Sequence, residues 1–218
     1  MLHFENVSFS YGRDNSTKDN ITVENINFHI KPGDFVAMIG ENGAGKSTIA
    51  RLSNGLLKPS AGKVRACGKD TSEVKISALA RDVAFLFQNP DCQICQPTSR
   101  AEIAFALDAI TGNSDETKRR VDHALSLFSL DGEASPFTLS RGERQKIAVA
   151  SLVARGPKLL ILDEPTTGLD EAESEVVMEA IKGLNDKGTS ILMITHDLDL
   201  AHKYAHNTIT VHSGRIQQ

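Results

Sequence analysis

Apolar and polar residues alternate over residues 2–11 (LHFENVSFSY) and again over 21–30 (ITVENINFHI), the period of half-buried strands. The polar stretch GRDNSTKDN (12–20) reads as a turn between them. The related pieces FENVSF and VENINF read as two paired strands of one small antiparallel sheet rather than as a repeat unit. KPGD (31–34) is a further turn, and DFVAMIG (34–40) is a buried strand. A glycine loop and a helix, STIARLSNGL (47–56), follow. GKVRACG (62–68) and DVAFLFQ (82–88) are short strands. Residues 99–130 have helical spacing with a polar break at GNSDE, and SRGERQKIAVASLVAR (140–155) is a strong amphipathic helix. KLLILDE (158–164) is a continuous apolar run ending in two acids, as a central parallel strand should be. EAESEVVMEAIKGLNDK (171–187) is a helix closed by Lys187 and Gly188. SILMITH (190–196) is another buried strand, and NTITVHSGRI (207–216) is a last short strand pair. Strands alternating with helices in the second half predict an α/β fold with a parallel sheet covered by helices.

Composition narrows this picture without redirecting it. The chain has 218 residues, 40% apolar and 24% charged, enough for one α/β domain with a sizeable core. A net charge of -4 supplies no general basic field, so nucleic acid is not expected as a partner. Cys67, Cys92 and Cys95 are too few for a disulfide framework, and CQIC has no second C-x-x-C to complete a zinc site. The N-terminus has no basic segment followed by an apolar run, so a signal peptide is not expected. No apolar run approaches the roughly 20 residues of a membrane helix, so action at a membrane would need a partner.

The chemistry concentrates in a few loops. Residues 40–47, GENGAGKS, fit G-x-x-x-x-G-K-[ST] between a predicted strand and a predicted helix. Glycines let successive backbone N–H groups curl around an anion, and the helix adds its positive end. Lys46 is placed to reach the β- and γ-phosphates of a nucleoside triphosphate, and Ser47 to ligate Mg2+. Asp163 and Glu164 end a buried strand, where open α/β sheets place their ligands. Asp163 suits the Mg2+, and Glu164 suits polarising a water. Ser140 with Glu143 forms the S-x-x-E capping box of a helix start. With Gly142 the same start can also hold an anion, and capping alone is the simpler reading. His196 and Gln88 each end an apolar strand, where a lone polar residue is usually only a terminus.

Together these pieces resemble the ATPase subunit of ATP-binding cassette systems over essentially the whole chain. GENGAGKST looks like the Walker A loop, with Gly40, Asn42, Gly43, Gly45, Lys46, Ser47 and Thr48 as its nucleotide-binding positions. Gln88 in FLFQNP is similar to the Q-loop glutamine, LSRGERQ to the signature motif, and LLILDEP to Walker B. TTGLD (166–170) resembles the D-loop, ITHD carries a switch histidine, and Tyr11 sits where the family stacks a ring on adenine. The resemblance implies a P-loop fold with a RecA-like sheet, an N-terminal antiparallel β subdomain and an inserted helical subdomain near 89–155, all within one domain, 1–218. It implies ATP and Mg2+ as ligands, with Ser47, Gln88 and Asp163 at the metal and Glu164, His196 and Gln88 at the hydrolytic centre. It also implies a second ATPase subunit, identical or paralogous, with Ser140 and Gly142 facing the partner's ATP.

A narrower resemblance lies in FQNPDCQICQPTSRAEIAFAL, which is similar to the stretch after the Q-loop in energy-coupling factor importers of vitamins and transition-metal ions. It implies a transmembrane coupling subunit, a small substrate-binding membrane subunit and a place on the cytoplasmic face of the membrane. Another transporter type, or a soluble ATP-binding cassette protein, is the alternative. The compact segment between Gln88 and Ser140, without sustained heptads, disfavours the chromosome-maintenance kind. Two positions depart from the pattern: Arg141 stands where the signature has a glycine, and Glu143 where it has a glutamine. The chain also ends at GRIQQ, whereas many energy-coupling factor ATPases continue into a dimerising region.

Overall fold

Two sheets organise the chain, seen in a computed structural model that describes residues 1–12, 21–111 and 114–217. The first holds β1 (Leu2–Ser10), β2 (Ile21–Ile30), β4 (Ala61–Ala66) and β5 (Lys69–Asp70), in the antiparallel order β2-β1-β4-β5. The second has six strands in the order β10-β9-β3-β8-β7-β6. Its members are β3 (Phe35–Ile39), β6 (Val83–Leu86), β7 (Leu159–Asp163), β8 (Ser190–Ile194), β9 (Asn207–His212) and β10 (Arg215–Gln217). All its pairings are parallel except the hairpin of β9 with β10. The architecture agrees with the α/β, P-loop arrangement expected from the sequence.

The twin sequences FENV and VENI have a structural meaning. The register moves from Phe4–Phe28 to Val7–Ile26, so β1 carries one extra residue there. It then moves from Val7–Ile26 to Phe9–Val23, which returns the extra residue to β2. Asn6 and Asn25 sit at these bulges with φ of 51° and 49°, a conformation asparagine tolerates better than most residues. Their freed amides are satisfied by side chains across the ladder, Asn6 N–H on Asn27 Oδ1 at 2.8 Å and Asn25 N–H on Ser8 Oγ at 3.0 Å. The turn expected between the two strands falls, from residue 13 to 20, outside the described residues.

The four strands β3, β6, β7 and β8 are buried on both faces, which explains their unbroken apolar sequences. Phe35, Leu160, Leu162, Ile191 and Met193 point into one apolar cluster with α3 (Ser99–Thr111), α4 (Ser114–Leu127), α5 (Arg141–Arg155) and α6 (Glu171–Asp186). Val36, Met38, Leu159, Ile161 and Leu192 point the other way, toward α1 (Lys46–Ser53) and the antiparallel sheet. Ser140 caps α5 through a reciprocal bond with Glu143, as its sequence requires, and Asp170 caps α6 with Glu173 in the same way. The short helices α2 (Ile76–Leu79) and α7 (Leu198–Tyr204) were not expected, because segments of 4 and 7 residues are too brief to show a helical period. Asp197 starts α7 by accepting the Leu200 N–H at 3.0 Å. Among the described residues no helix is long and apolar enough to cross a membrane.

The central strand predicts a stability test. Ile161 is fully buried. Ile161→Ala should lower the unfolding free energy by about 3 kcal/mol, read as a lower urea midpoint with an unchanged slope.

Candidate functional site

The site forms where β3, β7 and β8 end side by side. Met38 pairs with Ile194, and Ile194 with Asp163, so the loops after these strands leave the sheet at one level. The loop after β3 curls tightly. Gly40, Gly43 and Gly45 hold φ of 145°, 82° and 104°, values costly for residues with a Cβ. At Gly40 a Cβ would also fall 2.1 Å from the Val211 carbonyl oxygen. The loop delivers Lys46 and Ser47 to the start of α1. Lys46 is buried, and its ammonium donates to the Gly40 and Glu41 carbonyls at 2.6 and 2.8 Å. Those bonds hold a positive charge inside a loop whose amides line the same cleft.

That cleft, of about 420 Å³, is lined by Asn42, Gly43, Gly45, Lys46, Ser47 and Thr48 on one side and by Gln88, Asp163 and Glu164 on the other. The geometry thus brings together residues as far apart in the sequence as Asn42 and Glu164. Asp163 is only 4% exposed. Burial pushes its carboxyl above the ordinary aspartate range, against the opposing pull of a Ser47 hydrogen bond, while the neighbouring Glu164 charge adds to the rise. Two hard oxygen ligands, the Ser47 hydroxyl and the Asp163 carboxylate, with the Gln88 amide beside them, suit Mg2+.

Glu164 has left-handed backbone, φ 55°, immediately after β7, and its N–H donates to the Ile194 carbonyl at 3.0 Å. This turn swings the side chain away from the strand direction. Glu164 Oε2 lies 2.9 Å from His196 Nδ1, which comes from the end of β8. The carboxylate is nearly buried and the imidazole is mostly exposed, so the pair sits at the boundary between cleft and surface. A second cleft, about 670 Å³, adjoins it and is lined by Glu164, His196 and residues 166–170.

Other expected residues lie apart from this cleft. Tyr11 is 57% exposed; its ring meets Phe9 edge-on and its hydroxyl is 3.3 Å from Thr48 Oγ1. It stands beside the loop, more than half exposed. Ser140 and Gly142, at the start of α5, do not line the cleft. Ser140 Oγ donates to Glu143 Oε2 at 2.7 Å, and both this bond and the Ser140 amide hold the Glu143 carboxyl below its ordinary range. Gly142 is buried, and a Cβ there would meet the Gly168 carbonyl oxygen at 2.7 Å, so the contact requires glycine. Cys92 and Cys95 are exposed free thiols.

One residue of the site escaped the sequence reading. Gln145 is fully buried on α5, and its amide donates to the Pro165 carbonyl at 3.1 Å and the Glu164 carbonyl at 3.4 Å. The signal was present: Gln145, Ala148, Val149 and Leu152 form the buried i, i+3, i+4, i+7 stripe of the helix, and only one of them is polar.

A glycine-rich anion loop on a parallel sheet, faced by two strand-end acids, defines a nucleotide-binding P-loop protein. Comparison with known proteins then places it more closely. The family described as ABC transporter matches residues 23–167. An ABC transporter ATP-binding protein of Caldanaerobacter subterraneus is 42% identical over 219 residues, covering 100% of this chain and 38% of that protein. One from Pyrococcus horikoshii is 37% identical, covering 100% of this chain and 82% of the other. Among solved structures, the ATP-binding cassette MJ0796 bound to ADP and Pi superimposes with a TM-score of 0.88 at 26% identity, covering 100% and 97% of the two chains. The cbiO1 protein of Clostridium perfringens, part of the ABC transporter complex cbiONQ, gives 0.83 at 31% identity, covering 100% and 86%. The chain belongs to the ABC transporter ATP-binding family. It spans 38% of the length of the Caldanaerobacter protein, and 43% and 40% of two further relatives from Methanosarcina mazei and Methanosarcina acetivorans.

Asp163 supplies a pH test. Its folded carboxyl titrates above its unfolded value, so between the two the folded state holds the extra proton and stability falls as pH rises. In EDTA, Asp163→Asn should therefore raise the urea midpoint at pH 7 and leave it near the parental value below pH about 3, where both states are protonated. The same variant should lose the stabilisation that Mg2+ adds to bound nucleotide.

Proposed function

We propose that the chain is the ATP-binding and ATP-hydrolysing subunit of a membrane importer, of the energy-coupling factor type. The observation that carries the hydrolytic reading is the Glu164–His196 pair, 2.9 Å apart, at the mouth of a cleft lined by the glycine loop and Asp163. Lys46 and the loop amides hold the triphosphate. Ser47 and Asp163, with Gln88, would hold Mg2+, which supplies charge neutralisation on the phosphate oxygens. Glu164 accepts a proton from a water as its oxygen attacks the γ-phosphorus, and the bond to the β-γ bridging oxygen breaks to leave ADP and phosphate. His196 orients the carboxylate and, on its exposed side, faces the γ-phosphate. Tyr11 stacks on adenine.

The transport reading draws on QNPDCQICQPT and on the likeness to cbiO1. The chain works with a second ATPase subunit, whose ATP meets Ser140 and Gly142, and with a transmembrane coupling subunit and a small substrate-binding membrane subunit. It lies on the cytoplasmic face through those partners. The single domain, 1–218, carries a helical segment near 89–155 that passes nucleotide-driven motion toward them.

Two experiments test this. Lys46→Ala should abolish nucleotide binding, whereas Glu164→Gln should keep it and slow Mg2+-dependent phosphate release by about a hundredfold or more. A Glu164→Gln variant hydrolysing at the parental rate would overturn the role of Glu164. Mild-detergent isolation from the native membrane should recover one coupling subunit and one small hydrophobic subunit. A conventional permease with a solute-binding protein would overturn the importer type while keeping the ATPase.

A further inference from the structure

We infer that Gln145 is a positioning residue for Glu164: its buried amide locks the left-handed turn that aims the carboxylate at His196, and it ties that turn to the helix carrying the signature sequence. The inference rests on the ATPase reading above for its functional consequence, and on the geometry for the lock itself. Among the described residues lining the cleft, Glu164 alone has a positive φ without being glycine, and it also has a side-chain task. Such a conformation persists only where surroundings hold it. Two carbonyls flank the turn, those of Glu164 and Pro165, and both accept from Gln145 Nε2. The backbone N–H of Glu164 is held from the other side by Ile194. The turn is thus clamped between β8 and α5.

The choice of glutamine is otherwise unfavourable. Gln145 Oε1 is buried with no partner among the described residues, a cost that an apolar residue of similar shape would avoid. The surrounding stripe of α5 is apolar, so packing alone asks for methionine or leucine here. What the amide adds over an apolar side chain is the two bonds it makes.

Its helix neighbours give the lock its reach. Gly142, Gln145 and Lys146 share one face of α5, at i, i+3 and i+4. Gly142 lets the Gly168 carbonyl approach, and Lys146 pairs with Glu173 at 2.7 Å. The same Glu173 caps the N–H of Asp170. The segment from Glu164 to Glu173 therefore rides on α5 as one piece. A displacement of the helix start, where Ser140 faces a second subunit, is passed to the carboxylate of its own cleft through Gln145.

Gln145→Met and Gln145→Leu remove the donor with two different shapes. In both, kcat is expected to fall on the order of tenfold to a hundredfold while the MgATP KM holds, because the loop that binds nucleotide is untouched. A readout independent of activity is the His196 Nδ1 resonance of 15N-histidine-labelled chain, identified by its loss in His196→Gln. In both Gln145 variants it should move toward its position in Glu164→Gln. Parental kcat with an unmoved resonance overturns the inference. If the parent chain itself hydrolyses no ATP, the ATPase reading fails, and the resonance alone decides the lock: moved sustains it, unmoved overturns it. If neither variant folds, Gln145 is a folding determinant and the positioning role is overturned.

Discussion

The register of three parallel strands is the constraint on which the rest depends. Met38 of β3, Ile194 of β8 and Asp163 of β7 stand level across the sheet. A slip of β7 would turn Asp163 to the opposite face and carry Glu164 with it, because side chains alternate along a strand. Burial prevents the slip. Leu160 and Leu162 enter one apolar cluster and Leu159 and Ile161 the other, so each shift would exchange two well-filled environments. The core therefore acts as the ruler that sets where the glycine loop, the acids and the histidine emerge.

Local signals made most of this legible in advance. The glycine loop was readable because a tight anion-binding turn needs glycine at fixed offsets, and φ of 82° and 104° at Gly43 and Gly45 bears that out. The start of α5 was readable because Ser140 and Glu143 cap it within four residues of chain. The meaning of FENV and VENI was not, since matched bulges are a property of two strands paired out of step, and no single strand displays them. Gln145 was hidden for a related reason. Its carbonyl partners lie 19 and 20 positions away, in a turn whose path is set by the sheet rather than by neighbouring sequence. What a sequence window displays is local periodicity; what it cannot display is which loop that periodicity will be packed against.

The unusual signature becomes intelligible at the level of contacts. Glu143 places a charge where the family pattern has a neutral amide, yet its carboxylate is engaged by the Ser140 hydroxyl and amide, and Lys146 lies near enough to pull its titration down further. The charge is thus partly satisfied within the cap, and it competes for Ser140, whose hydroxyl is the group the proposed function turns toward a second subunit. Arg141 is exposed and lies along Gly168, with its side chain in van der Waals range of where a Cβ would be. Arg144 adds a tie of another kind: Nη1 donates to the Leu139 carbonyl at 2.5 Å, and Nε lies 2.7 Å from Asp91 Oδ1. Among the described residues no acceptor lies along that Nε–H, so the second contact is electrostatic rather than a directed hydrogen bond. It still joins α5 to the segment just after Gln88.

Three features of the site work against the stability of the chain that bears them. Asp163 is held in low dielectric, Glu164 is held in a left-handed turn, and Gln145 buries an acceptor with no donor among the described residues. Each could be relieved by an ordinary substitution, to asparagine, glycine and methionine respectively. Each is also placed where relief would remove a charge, a carboxylate or a donor from the same few ångströms of the cleft. The surrounding apolar packing is what makes them tolerable, since β7 and β8 are buried along their whole length. All three features sit at or against the strand ends, where a ligand can bring a countercharge to Asp163 and a phosphate to Lys46.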